Sequence, residues 1–176
     1  MDIVSKKRAF EYLLTQMLHW GDNLFPVVSR SSFTRLKALK LLFFAAAVKN
    51  ESGEDLLDIF DNFYALPNGP VESDIYNSIT SDNLTYYTFR NFSFSAICPY
   101  SDKDVDQSIK ERIDVAIVCL RQKNNHLVRY SAEELVSLSH TWMVWKNSIQ
   151  IARAFGKGSY RMTTNKIRSN NQFFVL

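Results

Sequence analysis

Few residues of this sequence have the types and spacing that chemistry requires. The histidines are His19, His126 and His140, and the cysteines are Cys98 and Cys119. A general base needs an orienting partner and a nucleophile needs a base, and no serine- or cysteine-centred motif accompanies His140, the best candidate. The histidines and cysteines also lack the spacing of zinc ligands. The sequence therefore favours a structural His140 and predicts no enzyme activity, cofactor or metal.

An aspartate triplet has the spacing of calcium ligands over part of its length. Asp102, Asp104 and Asp106 alternate as in a calcium loop. Position six is Gln107 and position twelve is Ile113, where such a loop needs glycine and glutamate. Carboxylates placed before a helix N-terminus, where the helix dipole favours them, explain the pattern better.

The glycine-containing residues 156–159 are not a phosphate loop. Ile151 takes the place of the first glycine, and Gly158 separates Lys157 from the following hydroxyl. The end of a helix with a lysine in its last turn is the better interpretation.

Charge is unevenly distributed although the net charge is only +3. Residues 51–89 contain acidic side chains without lysine or arginine, and no acidic residue follows Glu134. This asymmetry could steer a charged partner, or it could reflect complementary faces packed within one fold. No helix-turn-helix with a basic second helix is evident, which argues against nucleic acid as the main partner. The candidate partner-binding residues are Asp55, Asp58, Asp61, Lys157, Arg161, Lys166 and Arg168.

The elements that must position these residues are organised around a helix over residues 33–49. Phe33, Leu36, Phe43 and Ala47 fall at helical steps, with Ser31 and Ser32 before them as N-cap candidates. Every residue from 41 to 48 is apolar, so this helix is expected to be central and covered on several sides. The apolar run is too short to cross a bilayer.

Two more helices are predicted beside it. The helical step is repeated by Leu56, Ile59, Phe60 and Phe63. The opposite side of this predicted helix carries Asp55, Asp58 and Asp61. The turn at residues 68–70 then breaks the chain, and a proline in the first turn of a helix predicts a short helix over residues 71–79.

The rest of the chain completes a mainly α, compact single-domain fold over residues 1–176 with one or two short strands. A capping box of Ser131 and Glu134 starts one helix. The other predicted elements are a helix over 3–20, one extended segment over 84–94, a helix from 109 to about 125 and a helix over 141–155. A polar-basic segment over 159–176 is predicted to close on a short strand or an ordered tail.

The cellular context follows from the cysteines and the N-terminus. Two cysteines are too few for a disulfide framework, which favours reduced thiols in the cytoplasm. Residues 1–18 mix charged and apolar side chains and resemble neither a signal peptide nor an anchor, so no membrane partner is expected.

Two stretches resemble a known family. Residues 39–45 read LKLLFFA and residues 63–65 read FYA; they are followed by GPV at 69–71 and by Tyr76. A serine-histidine pair at 139–140 precedes Trp145. Over roughly residues 33–146 the order is similar to the Panacea domain, the antitoxin domain also called SocA-like. The family signature therefore falls on Lys40, Phe44, Gly69, Pro70, Val71, Tyr76, His140 and Trp145.

The sequence also departs from the family pattern. Ala38 stands where a polar helix residue is common, and Leu66 where a charged or bulky residue often occurs. No proline precedes Trp145, where the family often has one.

The resemblance implies an antitoxin that neutralises a cognate protein toxin by binding it directly. The implied assembly is a hetero-complex or a homo-oligomer, and the signature residues are expected to be mainly structural. Two alternatives remain at this point: a proteolytic adaptor that delivers the toxin to a protease, and a nucleic-acid-binding regulator.

Overall fold

Helices dominate residues 1–24, 33–90 and 93–169, which are the residues that the computed structural model describes. The helices are α1 (Ile3–Leu24), α2 (Arg35–Ala47), α3 (Ser73–Thr80), α4 (Gln107–Lys123), α5 (Ala132–Ser139), α6 (Met143–Ala154) and α7 (Thr164–Ser169). The strands are β1 (Phe63–Leu66), β2 (Gly69–Glu72), β3 (Tyr87–Arg90), β4 (Ser93–Ala96) and β5 (Tyr160–Arg161). The predicted mainly α class is confirmed, although these ranges hold five short strands where one or two were expected.

Helix α2 has no polar side over residues 41–47 and is buried accordingly. All residues from 37 to 47 are buried, and α2 packs against β2, α5, α4 and α1. Thr34 caps its N-terminus, with its side-chain hydroxyl accepting from the backbone N–H of Lys37 at 3.2 Å. The predicted caps, Ser31 and Ser32, lie outside the described residues.

The helix predicted over residues 56–63 is wrong. The chain makes tight turns there, and β1 begins at Phe63. One cause is local, because the Asp55 carboxylate accepts from the backbone N–H of Leu57 at 3.0 Å and offers the backbone an alternative to a helical bond. The apolar residues Leu56, Ile59 and Phe60 are nevertheless buried. The helical spacing of these residues therefore reflects their burial in the core and does not indicate a helical backbone.

The predicted start of the third helix is also wrong. Strands β1 and β2 form an antiparallel hairpin in which Leu66 pairs with Gly69, so residues 67–68 make the turn and Pro70 lies in a strand. The sheet order is β2-β1-β5, which leaves β2 at an edge where a proline without an N–H is tolerated. Helix α3 begins only at Ser73, capped by the Glu72 carboxylate, which accepts from Ile75 N–H at 2.8 Å.

Other boundaries differ in detail from the prediction. Helix α1 continues through Gly21 to Leu24, and the extended segment over 84–94 is part of a hairpin of β3 and β4. The capping box is confirmed, with Ser131 N–H to the Glu134 carboxylate at 2.7 Å and the reciprocal bond at 3.1 Å. The polar-basic segment contains β5 and α7, and the strand predicted at the chain end lies outside the described residues.

Candidate functional site

Five of the eight signature residues meet at the turn between β1 and β2. Lys40 comes from α2, Gly69 and Pro70 from β2, and His140 and Trp145 from the α5–α6 region. Of the other three, Phe44 and Val71 are buried in the core, and Tyr76 lies on α3 with the Arg35 guanidinium 5.6 Å from its ring centroid. The signature therefore builds one cluster, which we call the turn cluster: Lys40, Gly69, Pro70, Ser139, His140 and Trp145.

The amine of Lys40 is the most unusual group in the turn cluster. The residue is 0% exposed, and Nζ donates to the backbone carbonyl of Pro70 at 2.6 Å. Burial removes water from the charged form and lowers the pKa of Lys40 to about 7. An amine of this kind holds the start of β2 against α2 as a hydrogen-bond donor.

Gly69 is required by both its backbone and its surroundings. Its φ of +91° is a conformation that side chains rarely adopt. A methyl group there would lie 2.3 Å from Ser139 Oγ and 3.1 Å from Lys40 Nζ. Glycine therefore lets the hairpin pack directly on α2 and on the end of α5.

His140 and Trp145 close the turn cluster from the other side. Their rings are stacked, with centroids 3.7 Å apart and planes 8° apart, and Trp145 Nε1 donates to the Leu66 carbonyl at 3.0 Å. Burial and then the nearby Lys40 charge lower the pKa of His140, while a bond to the Pro67 backbone opposes that shift. His140 Nε2 is buried without a hydrogen-bond partner among the described residues. The imidazole thus packs its flat face against the Trp145 ring.

The turn cluster holds no pair of the kind that nucleophilic catalysis uses. The neighbouring hydroxyl, Ser139 Oγ, donates to the Val136 carbonyl of its own helix at 2.8 Å. A nucleophile would need that hydroxyl to be bonded to a base. The arrangement supports packing and hairpin attachment.

The acidic candidates for partner binding are bonded within the fold. Asp55 accepts from Arg168 at 2.8 and 2.9 Å, and Asp58 accepts from Arg112 at 2.8 Å. These bonds, with Arg112 and Arg168 as donors, lower the pKa of Asp58 and raise the pKa of both arginines. Two explanations were open for the uneven distribution of charge. For Asp55 and Arg168 the second applies, because these complementary charges are paired within one fold.

The basic candidates divide into two kinds. Lys157 and Arg161 are exposed and form no ion pair within residues 1–24, 33–90 and 93–169, whereas Arg168 is engaged with Asp55. Lys166 is also exposed. Lys157 and Arg161 therefore remain accessible to a partner.

Sequence reasoning missed a buried ion cluster around Lys6. This lysine is 3% exposed, and its Nζ lies 2.7 Å from Asp61, 3.1 Å from Glu72 and 2.7 Å from Asp74. Burial acts to lower the pKa of Lys6, but the carboxylates outweigh it and the net pKa is raised. The three carboxylates could hold a metal by their spacing, yet the amine already occupies their centre. Nothing in the sequence distinguished Lys6 from an ordinary surface lysine.

The close approach at Gly69 makes a specific mutational prediction. We expect Gly69→Ala to lower the free energy of unfolding by about 1–3 kcal/mol from backbone strain alone, with a further loss from the clash with Ser139 Oγ. Gly158→Ala is the matched control, because a methyl there meets nothing within 4 Å. Urea unfolding monitored by tryptophan fluorescence measures both.

The double variant Ser139→Ala/Gly69→Ala separates the two contributions. Compared with Ser139→Ala alone, it should show no loss from the clash with Ser139 Oγ and should keep the losses due to φ and to the contact with Lys40. A Gly69→Ala protein as stable as the Gly158→Ala control would contradict the described packing.

The lowered pKa of Lys40 predicts how the stability of the fold depends on pH. Between the folded pKa of Lys40, about 7, and its ordinary value of 10.5, the unfolded chain carries a proton that the folded chain has released. Raising the pH through this window therefore favours folding, by up to about 1.4 kcal/mol per pH unit. We expect wild type to gain stability relative to Lys40→Met as the pH rises from 7 to about 9. Other titrating groups cancel in this difference, and a difference independent of pH would show that Lys40 stays charged.

Comparison with known proteins agrees with the resemblance seen in the sequence. Residues 39–146, more than half of the chain, match the family model described as "Antitoxin SocA-like, Panacea domain". The matched range includes residues 39–47 of α2, the β1–β2 hairpin and every residue of the turn cluster. None of the described helices is both long and apolar enough to span a bilayer. The comparisons found no match among curated proteins or solved structures. With this match, and with five of its eight signature residues meeting at one turn, this chain belongs to the SocA-like antitoxin family of Panacea domain proteins.

Proposed function

We propose that this chain is the antitoxin of a toxin–antitoxin pair and neutralises its toxin by direct protein–protein binding. It would act as a single domain over residues 1–176, without catalytic turnover and without a cofactor. The observation that carries the proposal is the match of residues 39–146 to an antitoxin family, with six of the eight signature residues buried.

The buried signature supports a binding function in a second way. Lys40 and Gly69 are buried, and the space around them is already filled by other residues of the same chain. Residues used in this way maintain the shape of a domain and leave recognition to side chains on its exposed surface. A common scaffold with a variable exterior is what an antitoxin needs if related proteins face different toxins.

The thiols fit the expected compartment. Cys98 and Cys119 are both free, as is usual for a protein that works in the reducing cytoplasm. We therefore propose that the complex forms there.

Direct neutralisation predicts a stable complex, which usually buries about 1,200–2,000 Å² in total. The protein encoded by the neighbouring gene should arrest growth when expressed alone and should lose that effect on co-expression with this chain. The two proteins should then elute together in size-exclusion chromatography. His140→Gln should neutralise as wild type does, provided that it folds, because the imidazole has a packing role.

Each alternative gives a different result in the same experiment. A proteolytic adaptor would remove the toxin, so toxin levels would fall on co-expression and toxicity would return in a host lacking the protease. A nucleic-acid-binding regulator would bind random duplex tightly, with an affinity that falls steeply as salt rises. Salt-sensitive duplex binding combined with no co-eluting neighbour would overturn the antitoxin proposal.

A further inference from the structure

The C-terminal end of α6 presents an exposed phenylalanine. Phe155 is 73% exposed, more than any other large hydrophobic residue in the described part of the chain. A single exposed apolar side chain is common on soluble proteins and by itself needs no partner. Its backbone and its neighbours set this one apart.

The backbone around Phe155 is fixed by hydrogen bonds. Phe155 N–H donates to the Ile151 carbonyl at 3.1 Å, and Gly156 N–H donates to the Arg153 carbonyl at 3.0 Å with Gly156 at φ +64°. Lys157 N–H then donates to the Ala152 carbonyl at 2.8 Å. These bonds satisfy the last carbonyls of the helix and close it on the glycine. The ring is therefore presented from a rigid element, which lowers the entropy lost when a partner binds.

Cations surround this ring in the sequence and remain available. Arg153, Lys157 and Arg161 are exposed, and none of them forms an ion pair within the residues that the structure describes. No acidic residue follows Glu134 to neutralise them locally. Some arginines elsewhere in the fold are paired, as Arg112 is with Asp58. Strand β5, which carries Arg161, packs against α6.

We propose that Arg153, Phe155, Lys157 and Arg161, the α6-end surface, form the docking face for an acidic protein partner. On the function proposed above, on which this inference rests, that partner is the toxin. Phe155 enters an apolar pocket on the partner, and carboxylates at the rim of that pocket face the three cations. Such an arrangement matches the usual anatomy of an interface, with an aromatic anchor at the centre and charges around it.

The chemistry of the surface favours a protein over a nucleic acid. Single-stranded nucleic acids are bound along grooves with several stacking aromatics, and duplexes are bound through many phosphate contacts. The α6-end surface offers one aromatic ring with Arg153 and Lys157 at the end of α6, and Arg161 on β5, which packs against α6. That geometry fits one pocket with an acidic rim.

Measured affinities of paired variants test the docking face. The probe is the purified product of the neighbouring gene, with random duplex and single-stranded DNA as parallel probes. Phe155→Ala should raise the Kd of the protein complex about 30-fold or more, the size expected for an interface anchor. Lys157→Glu/Arg161→Glu should slow association, and this effect should shrink at high salt.

Matched controls keep the test specific. Val118→Ala removes a side chain that is 50% exposed on α4, and Lys103→Glu reverses an exposed lysine outside the α6-end surface. Both controls should leave the Kd unchanged within twofold, and all variants should keep the melting temperature of wild type.

The outcomes distinguish this inference from the proposed function. If the toxin is bound and neutralised equally well by Phe155→Ala, the docking face is wrong and the antitoxin function stands. If wild type fails to bind the neighbouring product at all, both are wrong. DNA binding that disappears in Lys157→Glu/Arg161→Glu would assign the surface to nucleic acid and overturn the docking proposal.

Discussion

The hydrogen bond from Lys40 to the Pro70 carbonyl is the interaction on which the rest of the structure depends. It joins the most buried helix to the first residues of β2 across a distance of 2.6 Å, with no exposure of the lysine to solvent. A buried amine is costly unless it has a partner, and a buried carbonyl without a donor costs about 1–3 kcal/mol. Each group therefore needs the other in place. Gly69 is the residue that permits this approach, since a side chain there would meet Lys40 and Ser139.

A second polar interaction fixes the far end of the same hairpin. Glu72, the last residue of β2, accepts from Lys6 of α1 at 3.1 Å and caps α3 through Ile75 N–H at 2.8 Å. Burial raises the pKa of Glu72, and the bonds to Ile75 and Lys6 oppose that shift. Strand β2 is therefore held by Lys40 at its start and by Lys6 at its end, and a short pair of strands can organise a helical protein.

Whether a feature could be predicted from the sequence depended on how far apart its residues lie in the chain. The capping box of Ser131 and Glu134 involves residues three apart, and it was read correctly. The helical spacing of Leu56, Ile59 and Phe60 was read incorrectly, because periodic burial also occurs in turns that pack on a core. The ion pairs could not be predicted from the sequence, for a different reason. Lys6 and Asp61 are 55 residues apart, and Asp55 and Arg168 are 113 apart, so only the folded chain brings them together.

The same distinction applies to the candidate site. The signature residues were identifiable from the family resemblance, but their convergence on one turn was not, because Pro70 was assigned to a helix and lies in a strand. The sequence does not indicate that Phe155 is exposed, because there it resembles any other apolar residue of a helix. Its exposure depends on where α6 ends, which is set by the bonds around Gly156.

Amide hydrogen exchange, compared between the free chain and its complex with the neighbouring gene product, tests the central claim most directly. That claim is that the signature residues build a scaffold and that recognition lies on exposed residues elsewhere. We predict equally slow exchange in both states for the amides of β1 and β2, with new protection at exposed positions outside the turn cluster. New protection or loosening at the β1–β2 hairpin, without change elsewhere, would contradict the account, because the signature itself would then bind the partner.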